Sequence, residues 1–487
     1  MPPFGLIGPS SSSALQSADA QSSINWYLER DEGNGNKAKW SLLNTPGLSI
    51  WLGVGPNYTA AGKGRGIYST QGRTFAVVGT VLWEIMGVGV APVNRGTVAN
   101  DGNSVAWAAN ATQLAVASGG TLYVLTLGNN AFATVSVNAE VIVKIGYSDG
   151  FGIALVANSN KFYVSAALDF STWVGTNVTA VSVFPDLVLD MLIDHREIWL
   201  LGQTKSTPYY NSGGALFPYD VVPGGYVDQG TASIWGSAQL DNTLFWVGND
   251  TRGTGIVWKM AGYTPQRIST HAVENDIRKY QTRNDCVAYG YTEAGHSFFR
   301  VVFPTAKTCW CYDVTTGQWH QRGYWNLGTG SFSAPLGLYH TYNDSFNAHL
   351  LVDSKDGTIY QSSIDFQDDA GNPIRRVRRS AYVSQFGKYI YFTRLEIETD
   401  MGLGPIPALT DGQGNPRDPM LMVRWSNDGV RTWSNEYQVG LGQAGHYGQR
   451  PLLNRLGRCW GTKGRVFEIS MTDPGPRGIT EANLEYS

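Results

Sequence analysis

Four arginines fall within five residues, Arg375, Arg376, Arg378 and Arg379 around Val377. Guanidiniums packed this closely can grip phosphate or carboxylate oxygens through paired N–H donors. Three roles compete: contact with DNA phosphates, a plain solvated face, and a site for the acidic surface of a neighbouring subunit. The last is the expectation here, because the chain carries a formal net charge of -3 and a dedicated nucleic-acid binder shows a basic excess. The second constellation is Trp425-Ser426-Asn427-Asp428-Gly429-Val430-Arg431-Thr432-Trp433. Its Ser426, Asp428, Gly429, Thr432 and Trp433 suit a turn in which Asp428 accepts backbone N–H groups and Trp433 packs beneath. That role is structural, not catalytic.

The remaining candidates are weaker. His271 and Glu274 could form an acid–base pair, but they stand at the start of a segment with helical apolar spacing, where a lone histidine is structural. Cys309 and Cys311 are two apart, so on a strand both thiols share one face. Zinc sites want a longer gap and further ligands, so all four cysteines, with Cys286 and Cys459, are expected as buried free thiols. Asp353-Ser354-Lys355-Asp356-Gly357 lacks the spacing of a calcium loop and reads as a hairpin turn. No phosphate loop, metalloprotease helix, serine elbow or Cys-X-X-Cys pair stands out. The sequence therefore predicts no catalytic residues, no metal and no cofactor.

Elements that could position these residues are mostly strands. Seven hairpins recur, each an apolar run, a tight turn and a second run that usually carries an aromatic. Their first runs are Phe75 to Val78, Leu114 to Ala117, Ile153 to Val156, Ile198 to Leu201, Leu244 to Val247, Phe298 to Phe303 and Leu350 to Val352. They start roughly 40 to 55 residues apart, the period of propeller blades. The content of 58 glycines, 16 tryptophans and 25 tyrosines suits many turns and half-buried strands. The stretch Thr74 to Val93 is apolar enough to resemble a membrane helix, yet its glycines and β-branched residues predict two strands. Met1-Pro2-Pro3-Phe4-Gly5 shows no basic region ahead of an apolar core, so no signal peptide is expected.

The expected fold is all-β: a β-propeller of six or seven blades over residues 46–369, and an additional C-terminal β-sandwich-like unit over 370–487. Residues 1–45, rich in Ser, Asn and Gly, read as an extended N-terminal arm. Leu48-Ser49-Ile50-Trp51-Leu52 could be the strand that closes the ring. One helix is expected from His271 to about Tyr280, capped by Ser269-Thr270, with Val273, Ile277 and Tyr280 on one face.

Two resemblances follow. The 425–433 turn resembles the Asp-box of sialidases and other propellers, with Val430 where a second glycine often sits. This keeps open an alternative, a carbohydrate-active propeller of sialidase-like or lectin type. A sialidase would also need an arginine triad, and no spacing marks one.

More of the chain resembles the tail hub, or nozzle, proteins of short-tailed bacteriophages, also called packaged-DNA stabilisation proteins or tail accessory factors. The likeness lies first in Asn25-Trp26-Tyr27-Leu28-Glu29, Thr45-Pro46-Gly47-Leu48 and Arg65-Gly66-Ile67-Tyr68. It continues in Lys205 to Tyr210, Gly230 to Ser233, Phe245-Trp246-Val247-Gly248 and His271-Ala272-Val273-Glu274. It ends in Arg424 to Gly429, Arg455 to Arg458 and Phe467-Glu468-Ile469. This resemblance implies a structural virion protein of the tail, not an enzyme. It implies a homo-oligomeric ring, usually a hexamer, below the portal and its adaptor proteins, carrying tail fibres or spikes. Genomic DNA would pass through without sequence-specific binding, and no membrane insertion by this chain is implied.

Overall fold

A computed structural model describes residues 4–33, 38–53, 62–184, 186–250 and 253–487. Residues 1–3 and 34–37 of the expected arm lie outside this set. Among the described residues the protein is built almost wholly of strands, with one α-helix.

Each expected hairpin is the central strand pair of a blade. In the first, Arg73–Val78 pairs with Val81–Ile85 around Gly79, whose φ of 58° favours a residue without a Cβ. These two strands cover the first half of the apolar stretch from Thr74 to Val93. Side chains alternate across the pleat, and both faces are buried. Phe75 and Val77 pack against Leu114 and Val116 of the next blade. Ala76 and Val78 face the other way, onto Leu350 and Val352. Burying a side chain of this size contributes roughly 1.5–3 kcal/mol, so each blade is stabilised by the blades on both sides of it.

Seven blades result. Their innermost strands are Gly64–Thr70, Ala106–Ala109, Ile142–Ser148, Val188–Asp194, Ser237–Leu240, Val287–Glu293 and Tyr339–Asn343. Each neighbours the next, and the seventh returns to the first. Gly47–Leu52 closes the ring by pairing antiparallel with Ile359–Ser363, Leu52 opposite Ile359 and Gly47 opposite Ser363. Blade seven is thus built from two distant parts of the chain.

A β-sandwich follows. One sheet orders Trp26–Arg30, Trp40–Asn44, Gly478–Tyr486, Tyr389–Thr399 and Leu452–Trp460. The other orders Ala20–Ile24, Arg376–Arg379, Val466–Met471, Met420–Ser426 and Tyr437–Gly440. Their facing sides bury Trp26, Leu42, Phe392, Val423, Phe467 and Leu484. The expected extended arm over 1–45 is corrected here. Its described part supplies four strands to the sandwich, the short Ser11–Ser12 among them, because Trp26, Leu28 and Leu42 are apolar anchors that the surrounding Ser and Asn residues disguise. Leu6 is also fully buried in this core.

The two units share a sheet. Ile24 pairs in parallel with Gln321 on the outer strand of blade six, Gln318–Gln321, so one ladder runs from propeller to sandwich. Asn25 pins the crossing. It adopts a left-handed φ of 58°, which Asn tolerates better than most residues. Its Nδ2 donates to Gly323 O and to Arg375 O, both at 2.8 Å, and its Oδ1 accepts from Gly323 N at 3.0 Å.

The single helix, His271–Lys279, begins at Thr270, whose hydroxyl accepts from Val273 N at 3.4 Å. Val273 and Ile277 are buried against blades five and six. Among the described residues no helix is long and apolar enough to cross a membrane.

Candidate functional site

The 425–433 turn folds on its own side chains. Asp428 Oδ1 accepts from Arg431 N at 3.1 Å, Thr432 N at 3.0 Å and Ser426 Oγ at 2.8 Å. Thr432 Oγ1 donates to Asp428 Oδ2 at 2.6 Å. Val430, with φ 68°, donates its N–H to Ser426 Oγ at 3.0 Å. The Thr432 hydroxyl and backbone N–H hold the Asp428 carboxyl far below the usual carboxylate range. Every lone-pair direction so used stabilises the turn and leaves a poor general acid. The Trp433 ring lies under Arg379 and Arg424, whose guanidinium carbons are 5.1 and 4.7 Å from the ring centre. Asp428→Ala is expected to lower the melting temperature by a few degrees, through backbone donors left to solvent. An unchanged melting curve, together with loss of a hydrolytic activity, would sink the structural role.

The arginine run is a strand inside the sandwich sheet, between Ala20–Ile24 and Val466–Met471. Alternation sends Arg376 and Arg378 to one face and Arg379 to the other. Arg376 and Arg378 are fully buried. The expectation of an intermolecular face is corrected for these two, since neither can meet another subunit or DNA without unfolding the sheet. Arg378 instead binds the start of the chain. It donates to Leu6 O, to Pro9 O at 2.8 Å, to Ser22 O at 3.3 Å and to Gln21 Oε1 at 2.6 Å. Arg379 is partly exposed and pairs with the buried Glu468 at 2.7 Å, a carboxylate that also takes Arg424 Nε at 2.8 Å. Arg375 lies over the Trp325 ring at 4.6 Å.

One charged group at the junction was not read from the sequence. His296 of blade six is almost wholly buried, with Nδ1 2.8 Å from Asp313 Oδ2 and Nε2 2.7 Å from Glu29 Oε2. Glu29 belongs to the sandwich strand Trp26–Arg30, so the imidazolium joins the two units. Burial alone would lower its pKa, but hydrogen bonds to Asp313 and Glu29 outweigh that and raise it to about 9. No local pattern could have shown this pair, because the partners stand 267 residues apart.

The other candidates resolve simply. Glu274 takes Arg267 and the Ser269 hydroxyl, the latter at 2.7 Å, so its carboxylate is held by these two and not by His271. Asp353 Oδ1 accepts from Lys355 N at 2.8 Å, a turn contact. All four cysteines are free and buried. At one mouth of the propeller axis lies a cavity of about 450 Å³, whose lining includes Lys63, Asp101, Asn103, Trp235, Asp285 and Tyr339. No arginine belongs to that lining among the described residues. A carboxylate-gripping triad of sialidase type is therefore not assembled there.

Fold and charged clusters together define a β scaffold, a seven-bladed propeller locked to a sandwich, in which the notable side chains tie segments of the chain to one another. The chain belongs to the bacteriophage P22 Gp10 family: the β-propeller model of that family matches residues 38–366 and its β-sandwich model matches residues 375–487. It is a structural phage protein of the virion tail. No curated protein sequence matches the chain. Among solved structures, the N-terminal domain of Nup159 is similar at 9% identity and TM-score 0.43, over 70% of this chain and 99% of that one. An extracellular domain of a one-component system from B. thetaiotaomicron has 11% identity and TM-score 0.42, over 83% of this chain and 48% of that one. A chain of the mitotic checkpoint complex has 7% identity and TM-score 0.43, over 69% and 97%. At these scores the structural likenesses carry no argument.

Proposed function

We propose that this protein is a ring-forming subunit of the tail hub, or nozzle, that extends the DNA channel below the portal and adaptor, retains packaged DNA and anchors tail fibres or spikes. The observation that carries this reading is the shared sheet across blade six and the sandwich. A propeller and a sandwich joined by a continuous ladder, Asn25 and the His296 ion triad form one stiff bracket with several separate faces. A bracket of that kind can hold a neighbour in the ring, an adaptor above and a fibre below at constant angles. Ring subunits meet by heterologous contacts, one face of each copy against a different face of the next, and rotation closes the circle. Six copies are the proposed number.

The charge supports a conduit. A net charge of -3 disfavours counterion release on contact with DNA, so the genome would slide past without being held by phosphate contacts. The buried Arg376 and Arg378 offer no grip either.

The test is in particles. Virions assembled without this protein are expected to fill with DNA and then lose it, or to lack fibres. Particles that keep their DNA and infect at normal titre would rule the proposal out.

A further inference from the structure

Part of one sandwich sheet carries apolar side chains into solvent. The sheet that contains Tyr389–Thr399 turns one side to the core. Blade six covers a portion of the other side through Tyr27. The strands Tyr389–Thr399 and Leu452–Trp460 keep the rest of that outer side exposed. Ile390, Phe392, Leu395 and Ile397 point into the core. Alternation therefore sends Tyr389, Tyr391, Glu396 and Glu398 outward, with a bulge between Phe392 and Arg394 absorbing the change of phase.

The two ends of this face differ in chemistry. At one end Tyr389 stands opposite Trp460 and Tyr391 opposite Arg458, so all four share the outer side. Tyr389, Tyr391 and Trp460 are 49%, 50% and 42% exposed, and Phe386 on the loop leading in is 88% exposed. That loop is held in place. Gln385 N donates to Gly461 O at 3.0 Å, Gly461 N to Lys388 O at 2.8 Å and Gly387 N to Thr462 Oγ1 at 3.1 Å. The cations here are Lys388 and Arg458, the latter 4.9 Å from the Tyr389 ring centre. Neither forms an ion pair among the described residues. Exposed aromatics beside an arginine are the composition of interface hot spots.

At the other end lies a groove of about 650 Å³, whose lining includes Glu396, Glu398, Asp400, Met401, Leu403 and Tyr447. Arg450 Nε donates to Glu396 at 2.8 Å. Asp400 is exposed and has no ion pair among the described residues. Glu481 stands opposite Glu398 on the next strand, and like charges so placed repel. A basic aromatic end and an acidic groove with apolar walls complement each other. They cannot meet within one chain, because roughly 30 Å of extended strand separates Tyr389 from Glu398. Lys388 and Asp400 stand six positions to either side of Arg394. A two-fold axis near Arg394 would bring each over the other in a facing copy. The charge of Arg394 itself is offset by Glu485 at 4.0 Å.

We propose that a second copy of this chain docks on this face, the Phe386–Trp460 end of each copy seated on the acidic groove of the other, with Lys388 meeting Asp400 twice. Such a contact is isologous and closes on itself. It pairs the free protein, shields its exposed rings, and is separate from the heterologous contacts of the proposed ring.

Sedimentation of the full chain over a concentration series tests this. The mass is expected to rise from one copy to two and to stop there. Lys388→Asp and Asp400→Lys should each weaken pairing on the order of 100-fold, since each sets like charges together at two places. Both residues are exposed, so melting temperatures of the dilute variants should stay at the wild-type value. The double variant, with the charges exchanged, should pair again. A chain that stays single throughout, pairing untouched by either single change, or a double variant that fails to pair would each overturn the proposal. A closed six-copy ring that both single variants leave intact would also overturn it, while supporting the ring reading.

Discussion

Arg378→Met is expected to destabilise the chain by at least about 3 kcal/mol and to free its N-terminal segment. From a fully buried position Arg378 satisfies three backbone carbonyls, of Leu6, Pro9 and Ser22, and the Gln21 amide oxygen; the Leu6 bond is buried and the others partly so. Met fills much of the volume but donates nothing. Each buried acceptor left unpaired costs about 1–3 kcal/mol, and Leu6 would lose its hold in the core. The comparison is Arg375→Ser, which removes a half-buried cation over Trp325 and should cost about 1 kcal/mol or less. Denaturant midpoints measure the stabilities, and hydrogen exchange over residues 4–24 reports the release. Equal midpoints for Arg378→Met and wild type would contradict the assigned role. A joint replacement of Arg375, Arg376, Arg378 and Arg379 by Ser consequently tests folding before it can test assembly.

The second large effect is a loss of stability at alkaline pH that depends on His296. Its pKa rises from an ordinary value near 6.5 to about 9 in the folded chain. A group with a raised folded pKa contributes stability that is complete below the unfolded value and is lost as pH climbs through the folded one. The stabilisation is therefore full at pH 6, declines above about 6.5 and is gone above about 9. Asp313 is buried and Glu29 is about one-third exposed, so solvent screens part of the attraction and the effect is about 2 kcal/mol. Tyr27 and Phe298 wall the imidazole, with ring centres at 5.0 and 5.6 Å. Nearby His320 stays neutral, because burial and then Arg322 hold its pKa near 3. His296→Gln should flatten the pH profile between 6 and 9.5. Parallel profiles for variant and wild type would refute the triad as the source. Because Glu29 lies in the sandwich and His296 in the propeller, the same transition should loosen the junction before either unit melts.

What could be read from the sequence was local. A blade hairpin needs an apolar run, a turn residue and a second run, and all seven lie within a few residues of their turns. The same holds for the helix with its Thr270 cap and for Asp428, whose partners all fall between positions 426 and 432. The ring-closing strand at Gly47–Leu52 was legible as well, since a propeller leaves one blade short of a partner. What only the tertiary structure decided was the role of residues whose partners are remote. Alternation shows that a strand has two unlike faces, but not which face another sheet will cover. Arg376 and Arg378 read as surface because four cations in five residues suit water. They are interior because residues 6–22, more than 350 positions away, bring carbonyl acceptors to Arg378. Trp26 and Leu42 likewise looked like isolated apolar residues in a polar arm until strands from the far end of the chain gave them a core. Short-range pairing depends on residues that can be read together. Long-range pairing depends on which surfaces close last, and that is a property of the assembled sheets.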